Sequence, residues 1–312
     1  MTIAHRIATI AAALLIGAAV VSAQTPVPAA PDPAADTLKQ AQDQIRQGHL
    51  DQATAMLRQG VATYPASFGA HLRLGTALDL AGQYGEARTA LRKAIDLAGT
   101  PAERVQATRA LAISYGFEND CASVVKYQNP LYDAYFAAKD MYMAGEIANE
   151  LARLCLEAGQ FDIAEDWYRR GYAAGLQEPG ITPARKDLWE FRWQNALARV
   201  AARRGRKDEA QKHVALAKVA LDTGTNPDQA PFWPYLTGYV AFYAADYKTA
   251  VAELQQGNQN DPFVLVLIAQ SLEKLGDAEQ ARSYYQKVLA TTIHNPTAAY
   301  ARPIARKKLD VR

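Results

Sequence analysis

The sequence predicts an all-α fold, an α-α superhelix of about seven helix-turn-helix pairs closed by a C-terminal capping helix, and three observations carry that reading. First, a glycine followed two residues later by a larger residue, and three after that by alanine, occurs as Gly48/Leu50/Ala53, Gly82/Tyr84/Ala87, Gly159/Phe161/Ala164 and Gly205/Lys207/Ala210. Ala245/Tyr247/Ala250 and Gly276/Ala278/Ala281 are copies degenerate at one position. Second, twelve residues before each of those alanines stands a small residue: Ala41, Gly75, Ala152, Ala198, Gly238 or Ala269. Third, four residues after each alanine comes a bulky one, Leu57, Leu91, Tyr168, Val214, Leu254 or Tyr285, one helical turn onward and so on the same face.

Taken in chain order, residues 2–6 carry a positive charge ahead of a largely apolar run over residues 7–21. A spanning helix needs roughly 20 apolar residues and a leader core only about 7 to 15. With Val21-Ser22-Ala23 as the cleavage site, residues 1–23 read as a signal peptide and Gln24 as the mature start, an uncleaved anchor being the competing reading. Residues 24–35 follow as a Pro-rich flexible linker with Pro26, Pro28, Pro31 and Pro33, and the superhelix with its cap is assigned to residues 36–312. No later stretch has the apolar length of a membrane span.

Within the superhelix each unit reads as helix, glycine turn, helix, because a left-handed turn residue resists a side chain. The small residue twelve before the alanine lets two helices approach, and the bulky residue four after it fills the hole. Pro65, Pro262 and Pro296 are expected to stop second helices. The alanines step by 34, 77, 46, 40 and 31 residues, and the step of 77 leaves room for one irregular pair over about residues 101–143. Two longer connections, residues 177–186 and 223–231, read most simply as tolerated loop length, with a binding loop as the alternative. Residues 297–312 read as the capping helix, Tyr300 and Ile304 inward and Arg306, Lys307 and Lys308 outward.

Units of about 34 residues with a small residue at the eighth position, Gly at the fifteenth, Ala at the twentieth and Pro near the thirty-second resemble tetratricopeptide repeats. The resemblance spans roughly residues 34–298. It implies a concave groove, lined by the first helix of each pair, that holds a partner protein or an extended peptide. Projected onto this chain, the groove residues are Asn149 and Arg153 in the fourth pair, Arg192, Asn195 and Arg199 in the fifth, and Tyr235, Tyr239 and Tyr243 in the sixth. Arginines and amides beside tyrosines suit an acidic or carboxylate-bearing peptide. The plainer alternative is that the tyrosines fill helix packing and the arginines form a solvated face.

Catalytic signatures are missing from the sequence: no G-x-G-x-x-G, P-loop or G-x-S-x-G occurs. His5, His49, His71, His213 and His294 form no i, i+4 ligand pair, so neither a metal nor another cofactor is expected. Glu146 and Glu150 have a spacing common on solvated helices. A formal charge of +2, or +1 once Arg6 is removed, gives no field for nucleic acid. Cys121 and Cys155, the only cysteines, fall in the repeat frame at helix ends that meet on one edge of the stack, and a disulfide is expected, stabilising by on the order of 3 kcal/mol.

These readings make the chain a non-catalytic protein-binding scaffold or adaptor of the bacterial cell envelope, periplasmic or secreted. Bacterial origin follows from the absence of an acceptable N-glycosylation sequon, Asn295 being followed by Pro296, and from the Pro-rich start. A regulatory subunit of an envelope enzyme is one alternative. The other is a carrier of a small hydrophobic molecule or glycan on aromatic strips that include Tyr132, Tyr135 and Phe136.

Overall fold

Helices in this chain are started and stopped by local chemistry. Ser67, Asp120, Asp140, Thr182, Asp246, Asp277 and Asn295 each accept a backbone N–H from the first turn of the helix that follows. Thr100 and Glu103 close a reciprocal capping box ahead of Pro101. A computed structural model describes residues 32–311, and fifteen α-helices stand among them. They are α1 (Ala35–Arg46), α2 (Leu50–Thr63), α3 (Phe68–Leu80), α4 (Tyr84–Leu97), α5 (Pro101–Gly116), α6 (Cys121–Ala137), α7 (Met141–Glu157) and α8 (Phe161–Gly175), then α9 (Pro183–Arg203), α10 (Lys207–Asp222), α11 (Trp233–Tyr243), α12 (Tyr247–Leu254), α13 (Pro262–Lys274), α14 (Ala278–Ala290) and α15 (Pro296–Leu309). Each helix packs on the next, so α1 to α14 form seven stacked hairpins. The expected leader and most of the Pro-rich linker lie outside the described residues. Where the described chain begins, Asp32 is already pinned: its carboxylate accepts Ser67 Oγ at 2.7 Å and Gly69 N at 3.1 Å.

The knob-in-hole pattern is the core of each hairpin. The six repeat alanines are 0–1% exposed. A Cβ placed on Gly75 would stand 2.5 Å from Leu91 Cγ, and one on Gly238 would stand 2.5 Å from Leu254 Cγ. Each leucine, fully buried and so worth about 1.5–3 kcal/mol, thus lies directly over the glycine of the preceding helix. The turn glycines Gly48, Gly82, Gly159, Gly205 and Gly276 have φ between 73° and 87°. In the irregular third pair Asn119, at φ 59°, takes the same role, in the degenerate sixth pair Ala245 does so at 63°, and Lys139, at 60°, turns the chain from α6 into α7.

The prolines act differently from the sequence expectation. Pro262 and Pro296 do not end second helices; they open α13 and α15 at the first helical turn, where their missing N–H costs nothing. α12 stops at Leu254 without proline, and Pro65 lies in the turn after α2.

Cys121, first residue of α6, and Cys155, near the end of α7, are joined by a disulfide with Cα atoms 4.9 Å apart. The connection over residues 223–231 does more than add length. It contains a 3-10 turn (Pro227–Phe232), and Asn226 Nδ2 donates to Ala184 O at 2.8 Å.

The last helix packs on α13 and α14 and then continues past them to α5 and α7. Ala299 Cβ lies 3.5 Å from where a Gly116 side chain would begin. Arg302, 2% exposed, donates from Nε and Nη2 to Leu80 O at 3.1 and 2.7 Å and from Nη1 to Thr291 O at 2.7 Å. One guanidinium thus ties the carbonyl end of α3 to the carbonyl end of α14, where helix dipoles favour a cation. Burial, aided by neighbouring Arg306, pulls its pKa down to about 10. Lys307 and Lys308 are exposed as expected, whereas Arg306 folds over Gly82.

Candidate functional site

First helices of the fourth to seventh pairs, α7, α9, α11 and α13, surround a cavity of about 470 Å³. Asn149 and Arg153 reach it from α7, Arg192, Asn195 and Arg199 from α9, and Tyr235 from α11. Their presentation on one side follows from the helix period, since 192, 195 and 199 are spaced by three and four residues. Six of the eight groove residues picked out from sequence therefore stand around one space.

The other two do not reach it. Tyr239 is fully buried, its ring 5.8 Å from Phe263 and 4.8 Å from Tyr243. Tyr243 is half-buried and receives Arg203 Nη1 at 3.3 Å. The i, i+4, i+8 stripe on α11 is real, but α13 and α15 cross its later turns, so only the first tyrosine opens to the cavity. Residues that the sequence reading missed complete the wall: Gln229, Pro231 and Phe232 from the 3-10 connection, Asp261 before α13, and Thr297 of α15. Their one signal was the unusual length of the connection over residues 223–231.

Electrostatically the floor is unbalanced toward positive. Arg199 is 7% exposed and has no carboxylate partner among the described residues; Nε donates to Asn195 Oδ1 at 2.9 Å and its plane lies 5.3 Å from the Tyr168 ring, while Nη1 is buried with no partner. Arg153 Nε lies 3.1 Å from Glu157 Oε1 but off the hydrogen-bond axis, and its Nη2 is likewise buried without a partner. Its guanidinium covers Phe263 at 4.4 Å. Glu157 is already engaged by Arg203. Arg153 and Arg203 thus share one buried carboxylate, and Arg199 has none. At the rim Arg192 pairs with Glu146.

Tyr235 Oη is buried, faces this cluster and has no partner. Burial pushes its pKa up to about 12, which keeps the hydroxyl a neutral donor. Arg199 Nη1, Arg153 Nη2 and Tyr235 Oη, all donors, thus lie unpaired and closed to solvent in residues that line the cavity. A buried unpaired donor costs about 1–3 kcal/mol, more when charged, so a turn of these side chains toward an acceptor in the cavity would relieve the arrangement. A carboxylate, which an arginine grips with two parallel bonds, is the matching chemistry.

Elsewhere among the described residues one Ser, Asp and His cluster forms. Ser114, Asp79 and His294 do meet, but Ser114 Oγ at 2.7 Å and His294 Nε2 at 2.8 Å both bond to Asp79. The hydroxyl is not handed to the imidazole, which is the bond a serine nucleophile requires. Burial raises the Asp79 pKa against the opposing pull of His294. The other described histidines contact Gln44, Pro65 O and Gln194, and no group of three or more metal-ligating side chains occurs among the described residues. Glu150 takes Arg109 in a forked pair. Tyr132 and Phe136 stack on the second helix α6, away from the cavity. No described helix is long and apolar enough to cross a membrane.

Three stretches match family models described as tetratricopeptide repeat: residues 38–102, 194–215 and 263–291. No curated protein matches the chain. Similar solved structures include nearly identical TPR-like repeats of a putative kinesin light chain from Podosopora anserina, 18% identical, covering 61% of this chain and 96% of that one with a TM-score of 0.49. A tetratricopeptide repeat protein from Parabacteroides merdae is 14% identical, covering 89% and 97% with a TM-score of 0.47. The recurring turn and knob residues, the seven stacked hairpins and the three family matches make this chain a tetratricopeptide repeat protein, in general terms a protein-interaction scaffold.

Proposed function

We propose that this chain is a non-catalytic scaffold of the bacterial cell envelope that holds a partner by a carboxylate-bearing segment seated in the cavity between α7, α9, α11 and α13. The observation that carries the reading is Arg199, a buried residue lining the cavity, without a counter-ion among the described residues and with one donor unpaired, as is the Tyr235 hydroxyl. In this reading Arg199 and Arg153 grip the carboxylate, Tyr235 orients it, Asn149 and Asn195 serve the adjoining peptide groups, and Arg192 steers at the rim. Export is supported by the leader pattern over residues 1–23 and by the Cys121–Cys155 disulfide, which an oxidising compartment permits. A cavity of about 470 Å³ also lies in the range of small-molecule sites, so a free carboxylic acid ligand is the second reading.

The test uses labelled short acidic peptides ending in a free carboxylate or in an amide, followed by fluorescence anisotropy. Saturable binding that is weakened about tenfold to a hundredfold by Arg199→Gln, as loss of a charged hydrogen bond entails, supports the assignment. Arg206→Gln, an exposed arginine paired with Glu209 on another face, serves as control. Equal binding by the wild type and the Arg192→Glu/Arg199→Glu double variant would reject the site.

A further inference from the structure

The inner surface does not run unbroken along the seven pairs. α15 packs on three first helices, α5, α7 and α13, as well as on α14. It is held there firmly. The Tyr300 ring lies 4.6 Å from that of Phe263, and Ile304 and Leu309 pack against the same core. Lys308 pairs with Glu273 at 2.9 Å, and Arg302 binds the carbonyls of Leu80 and Thr291. Thr297 borders the cavity described above, whereas His294 and Asn295 border a second one, also of about 470 Å³, walled by α1, α3, α5 and α7. α7 borders both, through Asn149 and Arg153 in the first and Glu150 in the second. The segment from His294 to Thr297, together with α7, is thus a fixed partition between the two spaces.

The first cavity is graded from mouth to floor. Pro231, Phe232 and Asn258 are exposed at its mouth, Phe232 at 51%. Phe191, Val264, Tyr235 and Arg199 are buried at its floor. The charged side chains that line it are three arginines against Glu146 and Asp261, an excess of one positive charge, and Arg203 with Glu157 behind them leaves that excess unchanged. We propose that the cavity receives the last residue of a partner protein, its free α-carboxylate at Arg199 and an apolar side chain against Phe191, Val264 and Phe232. This rests on the carboxylate reading above and adds which carboxylate it is and which kind of residue bears it. An internal acidic segment has to enter and leave again, and the partition closes the way along the inner surface; a chain end only has to enter. A terminal aspartate or glutamate brings two negative charges to an excess of one and lays the second on apolar walls, where an unpaired charge is costly. Asn149 and Asn195 offer side-chain amides to the last peptide groups, which a free apolar acid lacks.

The experiment measures anisotropy of pentapeptides labelled at the N-terminus, on the full chain. The peptide ending in leucine with a free carboxylate is expected to bind saturably. Its C-terminal amide, the same peptide extended by two glycines past the leucine, and one ending in aspartate should each bind at least about tenfold more weakly. Phe232→Ser, at an exposed position, should weaken the leucine-ended peptide about fivefold and leave the aspartate-ended one unchanged. The proposal is overturned if an amide-ended peptide with an internal glutamate binds as tightly as the leucine-ended acid, if the terminal aspartate equals leucine, or if free 4-methylpentanoate competes as well as the peptide. In each of those cases continued dependence on Arg199 leaves the carboxylate site standing with a different occupant. Failure of every free acid to bind, or equal binding by wild type and Arg199→Gln, removes the site itself, so the two readings fail by different results.

Discussion

Replacing Ala245 by glycine should make the protein more stable, the opposite of what glycine usually does near helices. Ala245 follows α11 at φ 63°, the left-handed conformation that glycine adopts in five of the other turns. A side chain there costs about 1–2 kcal/mol through the contact of Cβ with the following carbonyl. The alanine side chain is exposed, so little burial is lost with the methyl. Glycine gives back about 0.4–1 kcal/mol through its larger freedom in the unfolded chain. The difference leaves a gain of about 0.5–1 kcal/mol for Ala245→Gly. Gly205, at φ 73°, exposed and with no atom within 4 Å of where a methyl would stand, is the mirror case, and Gly205→Ala should lose a similar amount. Urea unfolding of the pair, with hydrogen exchange over α11 and α12, reads both signs. A lower midpoint for Ala245→Gly, or a higher one for Gly205→Ala, would refute the conformational argument.

Gly238→Ala should destabilise by about 1–3 kcal/mol by overpacking, since its methyl would meet Leu254 Cγ at 2.5 Å and Leu254 N at 3.1 Å and only the side chain can yield. Part of that loss should be recovered in Gly238→Ala/Leu254→Ala relative to the sum of the single variants, and strict additivity would show that the two do not touch. Replacing both Cys121 and Cys155 by serine, which opens a crosslink of sequence separation 34, should cost about 3–4 kcal/mol by chain entropy and lower the thermal midpoint; non-reduced protein should show no free thiol, and a thiol signal on the unfolded, non-reduced chain contradicts the pairing. Burial holds the His213 pKa below 6.5, with Glu209 opposing and Lys212 assisting, so on acidification the unfolded chain takes up this proton first. The stability given by neutral His213 is complete above pH 6.5 and is lost as pH falls through the folded value, and His213→Gln should flatten that fall in urea midpoints measured across the range.

The repeat frame was legible because its defining contacts are short in sequence. Gly75 meets Leu91 and Gly238 meets Leu254 within one hairpin, so spacing alone carries the packing. The same closeness let the frame place Cys121 beside Cys155 and gather Asn149, Arg153, Arg192, Asn195, Arg199 and Tyr235 on the inner surface. Helix periodicity gives the face of a residue but not what crosses that face. Tyr239 and Tyr243 share the stripe of Tyr235, yet α13 and α15 cover them. The seating of α15 was beyond any local pattern, because His294 and Asp79 are 215 residues apart and Arg302 and Leu80 are 222 apart. The amino-acid sequence by itself determined the hairpins, their turns and the chemistry of the inner surface. Only the tertiary structure decided where the superhelix brings its ends together, since small angles between neighbouring pairs accumulate over seven of them and no single spacing records the sum.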